Sequence, residues 1–388
     1  MATERWRDRH ISVPPVNRLP GAASQRLASL DVFRGLTIAA MILVSTPGTW
    51  DAVYPPLDHA TWHGWTPTDL VFPFLLFAMG AAVPVALARR RSVPSQVRRH
   101  VIRRGLTLFG IGLLLNAIEL NRALAWPTFP VLGVLQRIAI VFVAIAWLTE
   151  RTSLRTQLIL AVTILLGYWA AMMLVPVPGV GPGVLTPQGN LASFIDRLVL
   201  RGHMWHPPWE AEGLLSTAPA TVTALCGVFA GRWLTSHASG RHHSALLWMA
   251  GAVATLAGLM WGHVFPINKN LWTSSFALFS AGMATQALAI CHWILDLHRG
   301  RGWLSPAAAF GRNPLSAYFL SVVLDNLLSR WKIGGVDVKW TIYSHAFASW
   351  AVPCCGAEAT SLFYALAYVA LWGGVVWIMY RKRVFIGI

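Results

Sequence analysis

The chain has 388 residues, of which 55% are hydrophobic and only 12% charged, whereas an ordinary soluble protein is about a quarter charged. That balance excludes a soluble globular domain. It also changes the meaning of the net charge of +16: a soluble chain so basic suggests nucleic acid, but in a membrane protein the placement of Lys and Arg reports which side each loop faces.

Long apolar runs recur, as at 158–175, 245–260 and 362–380. A bilayer core requires roughly 20 such residues per helix, and backbone groups in lipid must be bonded within the segment. The expected fold is therefore all-α, a polytopic integral membrane helical bundle of about ten transmembrane helices plus a short re-entrant or interfacial helix. No nucleic-acid partner is expected.

Residues 1–28 are basic and polar, with Pro14, Pro15 and Pro20 and no apolar h-region. They read as a flexible cytoplasmic tail rather than a cleaved signal. Residues 29–388 read as one transmembrane domain, with no internal repeat of the kind inverted-topology transporters carry. Spans fit at 32–46, 67–88, 101–118, 130–149, 156–175, 214–231, 244–264, 271–294, 309–329 and 361–380.

With the N-terminus inside, Arg98, Arg99, Arg103 and Arg104 gather with Arg89, Arg90 and Arg91 in one inner loop, and Arg381, Lys382 and Arg383 end on the same face. Asp51, Asp58, Asp196, Glu210 and Glu212 fall outside. The positive-inside rule thus places both termini in the cytoplasm, in a cytoplasmic (inner) membrane. Counting 341–352 as a further span would send the terminal basic residues outside, so that segment is the re-entrant or interfacial helix. Cys226 and Cys291 read as small buried hydrophobes, and the adjacent Cys354 and Cys355 form no metal-spaced set. No metal is expected.

Between the first and second spans lies "PLDHATWHGWTPTDLVFPF", an outer loop with no Lys or Arg. Pro67 suits a first helical turn and Thr66 a cap. Asp69 has two readings: a carboxylate favoured by the positive helix end, or the group that orients an imidazole at His59. His63 shares a helical face with His59 only if Gly64 permits a helix.

Further along, Arg137 is a fixed cation within the fourth span, either ion-paired for structure or gripping an anion or carbonyl. Asn268, Lys269 and Asn270 open the eighth span from outside, through snorkelling and capping or as an anion site. Arg312 and Asn313 precede Pro314 on the inner side, as a helix start or as a phosphate grip. The Gly-, Pro- and Trp-rich loop 176–212 has the length of a lid or binding surface.

The blocks "SLDVFRGLTIAAMILV", "HATWHGWTPTDLVFPFLLF", "GVLQRIA", "EGLLSTAPA", "PINKNLWTSSFALFSAG", "GRNPLSAYFLS" and "YRKRVFIGI" occur in that order from Leu30 to the C-terminus. Together they resemble the heparan-α-glucosaminide N-acetyltransferase family. The resemblance implies acetyl transfer from cytoplasmic acetyl-CoA, as co-substrate, to an amino group of a glucosamine-type sugar on the outer face.

It also implies that His59 is the acetyl-handling histidine, with Asp69 its support. Arg137, Asn268, Lys269, Asn270 and Asn313 match family positions, and Arg312 stands beside the last of them. Ser45 stands where the family commonly has Asn, which puts full activity in question. Glu212 is retained from a "DPEG" block that reads here Glu210, Ala211, Glu212, Gly213, and it is a candidate to take the acceptor proton.

The expected partners are acetyl-CoA, an amino-sugar acceptor and the lipid bilayer, with a homodimer as an option. Two other readings stand beside this one: a transporter of a small sugar or acylated substrate using His59, Asp69 and Arg137 as a midplane path, and a family member impaired in catalysis by Ser45.

Overall fold

The computed structural model describes residues 27–88, 94–120, 128–236, 241–297 and 305–386. The expected tail lies almost wholly outside these residues, as do Arg89, Arg90 and Arg91. Within them the chain is helical: α1 (Ala28–Ser45), α2 (Val71–Ala88, entered through the 3-10 turn Pro67–Leu70), α3 (Pro94–Leu120), α4 (Val134–Arg151) and α5 (Leu154–Leu174). Then come α6 (Leu191–Leu200), α7 (Thr217–Thr235), α8 (Arg241–Trp261), α9 (Ser274–His292), α10 (Ser305–Arg312), α11 (Pro314–Arg330), α12 (Val338–Tyr343), α13 (Ser349–Cys355) and α14 (Ala357–Arg381).

Helices occupy every expected span, and among the described residues seven are long and apolar enough to cross a membrane. The protein is a multi-pass membrane helical protein. The helices α4, α7 and α11 lie in expected spans but fall outside those seven for physical reasons: α4 carries Gln136, Arg137, Glu150 and Arg151, α7 is rich in Thr and Gly, and α11 has 17 residues.

Burial separates an inner from an outer set. Half of the apolar window of α1, α2 and α9 is buried, against 28% for α5 and α14 and 22% for α8. The exposed faces of α5 and α8 carry Leu158, Ile159, Val162, Val253, Leu256 and Met260. Side chains so apolar with no protein cover require lipid around them.

Small residues let the inner helices approach. A Cβ added to Gly80 would strike the Ala224 carbonyl, and one on Gly227 the Phe77 carbonyl, so α2 and α7 meet backbone to backbone. The pair α1 and α10 does the same through Gly35 and Gly311. This is the usual device where lipid supplies no hydrophobic drive between helices.

Two features add to the sequence reading. The long loop 176–212 contains α6, capped by the Asn190 side chain accepting from the Ser193 N–H. The 338–355 region is a broken helix, α12 and α13 joined by a π turn and preceded by a two-stranded hairpin pairing Lys332 with Asp337. The positive φ of Gly334 and Gly335 supports that tight hairpin turn.

Candidate active site

The site grows from the capping of α2. Asp69 lies in the first turn, 1% exposed, and its Oδ2 accepts the backbone N–H groups of Ala60 (3.1 Å) and Thr66 (3.0 Å). Capping therefore falls to Asp69, while the Thr66 hydroxyl donates to the Asp58 carbonyl at 2.6 Å. The other oxygen, Oδ1, stands 2.7 Å from His59 Nδ1. Oδ2 thus takes the N-terminal backbone contacts and Oδ1 meets the imidazole.

A second loop closes over this pair. Gly64, at φ +100°, donates its N–H to the Ile267 carbonyl at 2.8 Å, docking the His59 loop onto 265–273. Lys269 Nζ then lies 3.1 Å from His59 Nδ1, 3.4 Å from Nε2 and 3.5 Å from Asp69 Oδ1. Burial lowers the Lys269 ammonium's pKa, while Asp69 and Glu212 oppose that shift.

Asn268 is fully buried and builds the loop: its Oδ1 accepts the Leu271 N–H at 2.9 Å, and its Nδ2 lies 3.3 Å from His63 Nδ1. Partial burial lowers the pKa of His63. Asn270 follows in the same loop, half-buried.

In the tautomer that donates Nδ1–H to the carboxylate, His59 Nε2 carries the lone pair. The ring is 49% exposed and so remains accessible. A carboxylate-oriented imidazole with a cation at its edge can take a proton or an acyl group and stabilise developing negative charge.

Arg137 stands behind this cluster at 1% exposure. Its Nη2 donates to Ser216 Oγ (2.6 Å) and the Gly213 carbonyl (3.2 Å), and its guanidinium lies 5.2 Å from the Trp272 ring. Glu212 is within electrostatic reach of Arg137, Lys269 and Glu119. Burial pushes the Glu210 carboxyl up to about 7 and the Asp196 carboxyl to about 6.

Two cavities lie within the bundle, and the second is lined by Glu212. One, of about 200 Å³, is largely apolar and includes Arg34 and Arg104 toward the N-terminal end of α1. The other, of about 390 Å³, holds Asn116, Glu119, Gln136, Trp205 and Glu212. They share Leu135 and Tyr318 as walls.

The structure thus brings together His59, Asp69 and Lys269, with Asn268 and Asn270 in the same loop and Arg137 and Glu212 adjacent. Ser45 ends α1, which packs against the Pro67–Leu70 turn, and its side chain is exposed. Arg312 and Asn313 lie elsewhere. Asn313 accepts the Ile386 N–H at 3.0 Å and donates to the Val384 carbonyl at 3.2 Å, while Arg312 sits 3.8 Å from Asp31 and over the Tyr380 and Phe385 rings.

Sequence reasoning missed Gln136, Trp272 and Ser216. Gln136 had a signal, a neutral polar residue next to Arg137 in an apolar run; Trp272 and Ser216 had none.

A family model described as "Heparan-alpha-glucosaminide N-acetyltransferase, catalytic" matches residues 26–267. The chain is 26% identical to the heparan-alpha-glucosaminide N-acetyltransferase of Homo sapiens, over 96% of this chain and 61% of that protein. It is also 26% identical to the Mus musculus protein of the same name, over 94% of this chain and 61% of that one. The chain thus spans about three fifths of the length of these relatives.

Proposed function

The chain belongs to the heparan-α-glucosaminide N-acetyltransferase catalytic family, and from that premise we propose that it moves an acetyl group from acetyl-CoA to the amine of a glucosamine-type sugar across a cytoplasmic (inner) membrane. The observation that carries this reading is the His59–Asp69 contact of 2.7 Å with Lys269 at the ring edge. The positive-inside pattern supports cytoplasmic termini, so the Arg34 and Arg104 end faces the donor and the Glu212 end the acceptor.

In the direct route, the acceptor ammonium first gives up one proton to water, and His59 Nε2 accepts a second as the amine nitrogen attacks the thioester carbonyl. The C–N bond forms, the C–S bond breaks, and the proton leaves with the CoA thiol. In the covalent route, Nε2 itself takes the acetyl group, CoA departs, and the amine then attacks acetyl-imidazole. Lys269 is placed to stabilise the oxyanion in either route. The carboxylates at the acceptor end favour a cationic amino sugar over a neutral one, and Trp62 and Trp209, 5.3 Å apart, offer an apolar wall for its ring.

The test is purified protein with acetyl-CoA and a panel of amino sugars, with products identified by mass spectrometry. N-acetylated sugar and free CoA in equal amounts are expected, and neither from His59→Ala. A burst of CoA before acceptor is added selects the covalent route. Full transfer by His59→Ala sinks the proposal.

A further inference from the structure

Gln136 is 1% exposed, yet among the described residues neither its amide oxygen nor its amide nitrogen has a hydrogen-bond partner. Removing such a group from water without replacing its bonds is costly, and folded proteins seldom carry one without a use. Its neighbour Asn116 is fully occupied on the donor side, giving to the Pro130 and Leu132 carbonyls at 2.9 and 3.0 Å.

Two glycines make room for the Gln136 amide. A Cβ on Gly112 would collide with its oxygen, and one on Gly133 would crowd the same atom. The amide therefore rests against α3 at the floor of the cleft that also holds Glu119, Trp205 and Glu212.

The position along the bundle identifies the ligand chemistry. The cleft and the apolar cavity have Leu135 and Tyr318 as common walls, and that cavity includes Arg34 and Arg104. Arg104 and Asn116 are twelve residues apart on α3, about 18 Å along the helix axis. A ligand filling this path is long and slim, anionic at one end, with a neutral arm containing amides at the other. A protonated amine entering from the carboxylate end needs acceptors only, whereas Gln136 offers a donor and an acceptor side by side.

We propose that Gln136 reads the pantetheine arm of the acyl donor. Its side-chain nitrogen donates to the carbonyl, and its oxygen accepts from the N–H, of one secondary amide of that arm. Gln136 is a positioning residue: it sets how far the thioester advances toward His59. The inference rests on acetyl-CoA being the donor.

The experiment compares full-length protein with its Gln136→Leu variant in three readouts: CoA binding by calorimetry, thermal unfolding without ligand, and transfer from acetyl-CoA against transfer from an acetyl thioester of a plain alkanethiol, which has no amide. The variant is expected to bind CoA about tenfold more weakly and to lose that factor with acetyl-CoA but not with the alkyl thioester. Its unliganded melting temperature should be unchanged or higher, because a buried unpaired amide has been replaced by an apolar group.

Unchanged CoA affinity in the variant overturns this inference and leaves the proposed function standing. A lowered melting temperature with equal losses for both thioesters assigns Gln136 a structural role and also overturns it. Failure of the unaltered protein to bind CoA or form acetylated product refutes the proposed function itself, and the inference with it. A Gly112→Ala variant, which displaces the amide without removing it, should reproduce the weaker CoA binding.

Discussion

Lys269 Nζ stands 3.1 Å from His59 Nδ1, the same nitrogen that lies 2.7 Å from Asp69 Oδ1. One ring nitrogen cannot donate to the carboxylate and accept from the ammonium at once. With the proton on Nδ1, Asp69 binds it, and the ammonium answers mainly to the carboxylate 3.5 Å away. The three groups form one proton network whose members are not interchangeable.

Asp69→Asn should therefore be more harmful than its size suggests. The amide cannot hold the Nδ1–H tautomer, and transfer should fall on the order of 10³-fold, measured as kcat for CoA release. Because Asp69 also accepts from Thr66 and Ala60, the melting temperature should fall too. The Asn oxygen can still accept one of those N–H groups, so the protein should remain folded.

The lowered pKa of Lys269, caused by burial, predicts that activity declines on the alkaline side at a pH below that of an ordinary lysine. Lys269→Arg keeps the charge through that range. Its rate profile should hold a lower plateau that extends further into alkaline pH. An alkaline limb unchanged between the two proteins would assign the limb to another group.

Glu210 and Asp196 set the pH dependence of stability. Burial raises Glu210 from an ordinary value of 4.5 to about 7 and Asp196 from 3.8 to about 6. Between those limits the folded state binds more protons than the unfolded state, so stability falls as pH rises, by up to about 3 kcal/mol for Glu210. The melting temperature in detergent should drop from pH 5 to pH 7.5. Glu210→Gln, which keeps an acceptor for the Trp205 N–H, should flatten that slope.

Arg137→Met tests the buried cation. It removes the bonds to Ser216 and Gly213 and takes away one of the positive charges near Glu212 and Glu210. A loss of about 3 kcal/mol is expected, read as a lower melting temperature and poor recovery in detergent. Arg137→Lys should rescue only partly, since one ammonium cannot reproduce the guanidinium's contact over the Trp272 ring together with its hydrogen bonds.

Asn313→Ala separates structure from binding at the opposite end. Its side chain holds the C-terminal segment by two backbone hydrogen bonds, so the variant should lose about 1–2 kcal/mol of stability. The KM for acetyl-CoA should stay within a factor of two of the unaltered protein. A large rise in KM with an unchanged melting temperature would instead place Asn313 on the donor's phosphates.

The sequence by itself determined the class of molecule and most of its span positions, because a bilayer imposes length and apolarity on each helix independently of what it packs against. It also determined that Asp69 starts a helix, since Pro67 and an acid in the first turn act locally. It named His59, Lys269 and Arg137, because charge and imidazole beside apolar runs are conspicuous.

Only the tertiary structure decided which of these meet. Lys269 lies 210 residues from His59 in sequence, and no local rule joins them; the Gly64–Ile267 bond does. The fate of Asn313 was likewise decided by its partners near the C-terminus, 71 and 73 residues away. The solitude of the Gln136 amide was not legible at all, because whether a polar group is paired depends on every neighbour that the fold brings to it.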